Sequence, residues 1–213
     1  VIQEAEKSGK LVFDIKNISV KAGDKTLVQN FSAMVMRGDK IGLLGENGIG
    51  KTSLIRVILG ENQASQGSIQ VGTKLEVAYF DQLRNQLDEE KTVLENIAHG
   101  SDFLEINGER KHALSYLQDF LFSPQRARTP VKALSGGERN RVLLARLFSK
   151  PSNVLVMDEP TNDLDIETLE LLEERLMAYQ GTVLLISHDR AFLDNVVTDT
   201  WAFMGDGVVE EFV

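Results

Sequence analysis

The chain has 213 residues, of which 42% are hydrophobic and 26% charged, and this is the composition of a globular domain with a sizeable core. The formal net charge of −9 argues against an autonomous nucleic-acid binder, because such proteins gain most of their affinity from Lys and Arg on phosphates. The lack of cysteine excludes disulfides, thiol chemistry and Cys-ligated zinc.

No stretch of the sequence approaches the roughly 18 apolar residues of a membrane span, and the first ten residues, VIQEAEKSGK, are too polar for a signal peptide. We therefore predict a cytoplasmic protein with no direct membrane insertion. Because the chain begins with Val, we expect it to be a fragment of a longer protein.

Strands and helices alternate along the chain, which predicts an α/β fold with a parallel sheet. In the first half we predict strands over 10–20, 26–36 and 39–45, a helix over 51–60, and a strand–turn–strand unit over 67–82. The stretch 83–130 is charged and predicted to be helical, with an amphipathic piece over 113–122. In the second half we predict a helix from about residue 135, a strand over 153–160, a helix over 166–180, a strand over 182–189, a further helix and closing strands around Trp201 and Val208.

The segment GENGIGKT, Gly45 to Thr52, matches the phosphate-loop pattern and lies between an apolar strand and a helix, as that pattern requires. Its glycines let backbone N–H groups and the helix N-terminus face phosphate oxygens. Lys51 can reach the β- and γ-phosphates and Thr52 can bind Mg²⁺. The alternative is a glycine-rich turn that matches by chance. The predicted nucleotide contacts are Gly45, Glu46, Asn47, Gly48, Ile49, Gly50, Lys51, Thr52 and Ser53.

Two further strands end in polar residues. Asp158 and Glu159 follow the apolar strand VLVM, and His188 follows the strand VLLIS. Ligands bind at the carboxyl ends of strands in such sheets, so we predict that Asp158 binds Mg²⁺, Glu159 handles the attacking water and His188 contacts the γ-phosphate. The alternatives are an exposed acidic turn and a structural histidine. His99 and His112 are predicted to be surface residues.

The segment LSGGE, Leu134 to Glu138, opens a strong helix with two glycines. Ser135 and Glu138 have the spacing of a capping box, so a helix starts here, and Gly136 and Gly137 leave its N-terminus open to an anion. A second phosphate site in one chain makes most sense if it serves a nucleotide held by another copy of the domain. The alternative is an ordinary capped helix with a flexible entry.

In their order along the chain, GENGIGKT, Gln82 in YFDQ, LSGGE, LVMDEP, TNDLD and His188 resemble the motifs of an ATP-binding cassette (ABC) domain. The resemblance implies a P-loop NTPase fold: a RecA-like core with an antiparallel β subdomain over 11–82 and 150–213, and an inserted helical signature subdomain over 83–149. It implies ATP and Mg²⁺ as ligands, and a head-to-tail dimer with two ATP molecules between the cassettes.

The same resemblance implies individual roles. Lys51 and Thr52 belong to Walker A, Asp158 to Walker B, and Glu159 is the catalytic glutamate. Gln82 contacts Mg²⁺ and the water. The resemblance also implies that residues 134–138 form the signature, that Asp165 lies in the D-loop and that His188 is the switch histidine. Many cassettes also stack adenine on an aromatic residue before the first hairpin glycine, but this chain has Ala22 there.

Within the superfamily the chain resembles the ABC-F group, and most of all the second cassette of its Uup-type members. That group implies a tandem protein acting on ribosomes or tRNA, with 1–10 as the end of a linker. A transporter motor and a branched-DNA ATPase are the alternatives. The basic residues Arg126, Arg128, Lys132, Arg139 and Arg141 could face RNA, but the net charge favours a solvated surface.

Overall fold

The computed structural model describes residues 2–213, which form a six-stranded sheet, a three-stranded antiparallel sheet, a two-stranded hairpin and eight α-helices. The strands are β1 (Leu11–Ala22), β2 (Lys25–Met36), β3 (Lys40–Leu44), β4 (Gln66–Val71), β5 (Val77–Tyr79), β6 (Phe103–Ile106), β7 (Glu109–His112), β8 (Val154–Asp158), β9 (Thr182–Ile186), β10 (Asp199–Gly205) and β11 (Val208–Phe212). The helices are α1 (Lys51–Ile58), α2 (Phe80–Leu83), α3 (Val93–Ala98), α4 (Ala113–Asp119), α5 (Pro124–Ala127), α6 (Gly136–Ser149), α7 (Ile166–Ala178) and α8 (Arg190–Val196).

The six-stranded sheet has the order β11-β10-β3-β9-β8-β5, and all neighbours are parallel except β10 and β11. Strand β9 is buried along its whole length, and in β8 only Asp158 reaches the surface, as expected for parallel strands covered on both faces. The predicted α/β fold with a parallel sheet is confirmed. Because β3, β8 and β9 run in one direction, their carboxyl ends meet at a single edge.

The antiparallel sheet β2-β1-β4 packs against the core sheet through a shared cluster of apolar side chains. Trp201 on β10 is fully buried and meets Phe31 of β2 edge-on, with ring centroids 5.0 Å apart. Its indole N–H donates to the Glu211 carboxylate at 3.1 Å. One side chain therefore joins the two sheets and also satisfies its polar atom.

Replacing Trp201 by Ala should lower the free energy of unfolding by about 3–5 kcal/mol, because a large cavity opens between the sheets and Glu211 loses its donor. Urea denaturation followed by circular dichroism measures the change. Met204→Ala on the same strand is the control, since that side chain is 61% exposed and should cost no more than about 0.5 kcal/mol. Equal losses for the two variants would contradict this packing.

The stretch 83–130 is not wholly helical. Strands β6 and β7 form an antiparallel hairpin whose turn, Asn107-Gly108, has positive φ at both residues (52° and 80°). The expectation of helix was therefore wrong over this stretch. The sequence does contain a signal for the hairpin, because Asn-Gly is a favoured pair for such a two-residue turn. The predicted strand over 67–82 also extends too far, because the chain becomes helical at Phe80. The division into 11–82, 150–213 and 83–149 remains a prediction.

Residues 2–9, assigned to the end of a linker together with Val1 (outside the described residues) and Lys10, are packed onto the fold. Ile2 is only 4% exposed and belongs to the core cluster of the helical region. The segment forms hydrogen bonds with three regions. The N–H groups of Gln3 and Ala5 donate to the carbonyls of Phe148 and Ser152, respectively. The Asn107 side chain bonds to the backbone of Ile2 and Glu4, and the Gly9 N–H donates to the carbonyl of Thr73. Over residues 2–213, no helix has the length and apolar character to cross a bilayer.

Candidate nucleotide site

The glycine loop lies between β3 and α1 and is shaped by two glycines with positive φ, 76° at Gly48 and 123° at Gly50. A side chain on Gly48 would meet open space, whereas one on Gly50 would come within 2.9 Å of Leu27. The Lys51 ammonium lies inside the loop, 6% exposed, and donates to the carbonyl of Gly45. The loop therefore curls around the Lys51 ammonium, and the predicted contacts of the loop and Lys51 with phosphate remain a prediction.

Thr52 and Asp158 come together from different elements. Thr52 is the second residue of α1, and Asp158 ends β8. The Thr52 hydroxyl donates to Asp158 Oδ2 at 2.8 Å. Two oxygen ligands that magnesium favours are therefore adjacent at the mouth of the loop.

Glu159 and His188 also meet, because β8 and β9 are neighbours and Asp158 lies opposite Ile186 in their register. The Glu159 N–H extends the ladder by donating to Ile186 O at 2.8 Å, and the backbone then turns to a left-handed φ of 49°. His188 Nε2 lies 2.9 Å from Glu159 Oε1. The backbone N–H of His188 also donates to the other carboxylate oxygen, Glu159 Oε2, at 3.4 Å, so His188 contacts both oxygens of Glu159.

Burial raises the pKa of the Glu159 carboxyl, and the neighbouring Asp158 carboxylate acts in the same direction, while His188 and Lys51 oppose the shift. Burial lowers the pKa of the Lys51 ammonium, while Glu159 and Asp158 oppose the shift. A carboxyl with a raised pKa that lines a cleft is suited to accept a proton from water.

The cleft is lined by residues of the glycine loop together with Asp158, Glu159 and Ile186. It fits a nucleotide phosphate bound with Mg²⁺, because a side chain at Gly48 would meet open space, which leaves the loop backbone within reach of a ligand, and because Lys51 supplies a cation. In this arrangement Thr52 and Asp158 would hold the metal.

Gln82 does not join this group. It lies on the exposed face of the short helix α2, and its amide donates to Glu61 at 2.6 Å rather than to Thr52 or Asp158. The chain turns into α2 immediately after β5, and this turn leaves Gln82 on the exposed side of the helix. The predicted contact of Gln82 with Mg²⁺ and water therefore stays a prediction.

The signature residues form the capping box that the sequence predicted. Ser135 Oγ accepts from the Glu138 N–H at 3.2 Å, and Glu138 Oε1 accepts from the Ser135 N–H at 3.2 Å. A side chain on Gly136 would meet open space, whereas one on Gly137 would lie 3.1 Å from the carbonyl oxygen of Asp163. One glycine thus keeps the helix start accessible, and the other allows close approach of the loop 161–165.

The loop 161–165 links the signature helix to the strand that ends at Asp158. Asn140 donates to the carbonyl of Asn162 at 2.9 Å, and Arg141 lies 3.7 Å from Asp165. The Asp165 side chain itself caps α7 by accepting from the Thr168 N–H at 2.8 Å. Neither Asp165 nor the signature residues line the cleft described above for their own chain.

The surface near the signature is mixed in charge. Four of the five basic residues singled out in the sequence contact carboxylates, and the fifth, Arg128, donates to a backbone carbonyl. The four ion pairs are Arg126–Glu138, Lys132–Glu90, Arg139–Glu89 and Arg141–Asp165. These pairs support the interpretation as a solvated surface. The Arg126–Glu138 pair was missed by sequence reasoning, since residues 12 apart in different helices share no local pattern.

The other predicted surface residues behave as expected. His99 and His112 are exposed. Ala22 is exposed at the end of β1 and Val20 is buried in the core, so neither offers a flat surface for a base.

The fold and the cleft define a P-loop NTPase. A family model described as ABC transporter matches residues 28–162, and the chain belongs to this family of ATP-binding cassette proteins. The chain is 60% identical over 212 residues to the ATP-binding protein Uup of Escherichia coli, covering 100% of this chain and 33% of Uup. It is 38% identical over 208 residues to the energy-dependent translational throttle protein EttA of Haemophilus influenzae, covering 98% and 37%.

The chain thus spans about one third of the length of these relatives. Among solved structures it is similar to the ATP-binding cassette MJ0796 in a dimeric post-hydrolysis state bound to ADP and Pi, with a TM-score of 0.70 and 21% identity over 94% of this chain and 98% of that one. A nucleotide-free cassette from an ABC transporter gives a TM-score of 0.71 at 22% identity. These likenesses show the fold.

Proposed function

We propose that this cassette binds ATP with Mg²⁺ and hydrolyses it by in-line attack of water on the γ-phosphate. The observation that carries the proposal is the meeting of Lys51, the Thr52–Asp158 pair and the Glu159–His188 pair at the carboxyl ends of β3, β8 and β9. Bound Mg²⁺ would neutralise charge on the β- and γ-phosphates.

The chain's own residues supply the rest of the mechanism. The glycine loop and Lys51 bind and orient the phosphates, and Glu159, which lines the cleft, holds the water and accepts its proton at the carboxylate. His188 contacts Glu159 through its Nε2, and we propose that it also contacts the γ-phosphate. The role of Gln82 requires it to leave Glu61 and turn toward the metal.

We further propose that each site is completed by a second cassette arranged head to tail. The supporting observation is that the start of α6 is open to solvent at Gly136 and lies outside the chain's own cleft. The solved relative MJ0796 forms a dimer in its state bound to ADP and Pi. An isolated cassette should then be a weak ATPase.

We propose that the chain is the second cassette of a cytoplasmic tandem ABC-F protein that acts on ribosomes. Identity to Uup along the whole chain supports the tandem protein, and the similarity to EttA, a translational throttle protein, supports the ribosome as target. Because the basic residues near the signature pair with carboxylates, we propose that contacts with ribosomal RNA or tRNA are made by other segments of that protein.

Co-sedimentation with ribosomes tests this target. The full tandem protein, with Glu159→Gln and the matching change in its other cassette, should pellet with ribosomes in ATP and remain in the supernatant in ADP. A variant that also carries Lys51→Ala controls for nucleotide-independent adhesion. Absence of ATP-dependent binding would contradict the ribosomal role and favour a transporter motor or a branched-DNA ATPase, leaving the ATPase proposal intact.

A further inference from the structure

The signature carries a carboxylate close to the place where it should receive phosphate. Glu138 is the third residue of α6, and its side chain folds back onto the Ser135 N–H. An unpaired negative charge in the first turn stabilises the helix, but it would repel any anion that approaches the same N–H groups. A capping glutamate and a phosphate site therefore conflict unless another group neutralises the glutamate.

Arg126 provides that group. Its Nε donates to Glu138 Oε2 at 2.9 Å and its Nη2 donates to Glu138 Oε1 at 2.8 Å, which is the two-pronged geometry of a strong arginine–carboxylate pair. The Glu138 side chain is 19% exposed and the Arg126 side chain is 42% exposed, so the arginine covers the carboxylate from the solvent side. These bonds to Arg126 lower the pKa of the Glu138 carboxyl, so it remains ionised and in need of a cation.

The backbone of Arg126 is also held in place by the cap of its helix. It lies in the short helix α5, whose N-cap Ser123 accepts a hydrogen bond from the Arg126 N–H at 3.2 Å. Within residues 2–213, the other ion pairs of nearby basic residues go to carboxylates outside 134–138. Arg126 is therefore placed to serve the signature specifically.

We infer that Arg126 is a positioning residue of the signature helix: by neutralising Glu138, it keeps the helix start attractive to the terminal phosphates of an ATP held by a second cassette. The inference rests on the proposed head-to-tail arrangement. The competing explanation is that the pair braces α5 against α6 and matters only for stability.

Charge removal separates the two explanations. In the Glu159→Gln chain, the ATP-driven association constant is measured by sedimentation velocity for Arg126→Gln, Glu138→Gln, the double variant and Arg126→Lys. We expect Arg126→Gln to weaken association about tenfold, because Glu138 is left unneutralised near the incoming phosphate. The double variant, which lacks both charges, should recover most of the association that Arg126→Gln loses, and Arg126→Lys should retain most of the association of the parent.

Two measurements guard the result. ATP affinity of the separated chain, which reports on its own glycine loop, should be the same in every variant. Lys132→Gln, which breaks the surface pair with Glu90, is the matched control and should change nothing. A double variant as weak as Arg126→Gln would overturn the inference in favour of a brace, and so would normal association of Arg126→Gln. Failure of the Glu159→Gln parent itself to associate with ATP would overturn the head-to-tail proposal together with this inference.

Discussion

Replacing Glu159 by Gln should slow ATP turnover by about 10²–10⁴-fold, the range for loss of a general base. The amide keeps the shape and the contact with His188, but it cannot accept a proton from water. ATP affinity should stay nearly unchanged, because Lys51, Thr52 and the glycine loop are untouched. Release of phosphate at saturating ATP, with a parallel equilibrium binding measurement, separates the two effects.

Glu170→Gln is the matched control, because this glutamate is exposed on α7 and should not affect turnover. The unmodified chain offers a second readout. Burial raises the pKa of Glu159, so the carboxylate is lost as pH falls through that raised pKa, and turnover should decline at a higher pH than for an ordinary glutamate. Full activity of Glu159→Gln would remove Glu159 from the role of base.

Replacing Gly136 by Asp in the Glu159→Gln chain should weaken ATP-driven association about 100-fold, because a carboxylate is placed where the second nucleotide must approach. The fold itself should tolerate the change, since a side chain at Gly136 meets open space and a negative charge suits the first turn of a helix. We therefore expect the variant to lose ATP-driven association while its thermal stability is unchanged or higher. Sedimentation velocity with and without ATP measures the first, and thermal unfolding the second.

Gly136→Asn is the control that separates charge from size, and its effect on association should be clearly smaller. Binding of ATP to the separated chain should be equal in both variants, because the cleft of the same chain does not include Gly136. Unimpaired association of Gly136→Asp would show that the signature does not meet a nucleotide held by a second copy.

The glycine loop, the acidic strand end and the capping box were predictable from the sequence because each is a local pattern. A phosphate loop needs only glycines at fixed spacing between a strand and a helix, and a capping box needs only Ser135 and Glu138. The convergence of Glu159 and His188 was also predictable, since both follow apolar strands whose carboxyl ends share an edge in a parallel sheet.

The features that were missed depend on tertiary packing or on a weaker local signal. The Arg126–Glu138 pair joins two helices, and the hydrogen bond of Gln82 to Glu61 joins α2 to the turn that follows α1. The hairpin β6–β7 was overlooked because its charged strands resemble a helical surface, although Asn107-Gly108 marked the turn. Ile2 is buried among residues that are distant from it in the sequence, so no local pattern predicts its burial.

The packing of residues 2–9 gives the cassette a defined response to tension. A pull at Ile2 directed along this segment loads the hydrogen bonds Gln3–Phe148 and Ala5–Ser152 at the same time, so they resist in shear instead of opening one after the other. Asn107 passes part of the load to the hairpin β6–β7, within the stretch that also contains the signature helix. A force applied to this segment would therefore be transmitted to the signature region, and a movement of that region would in turn apply a force to the segment.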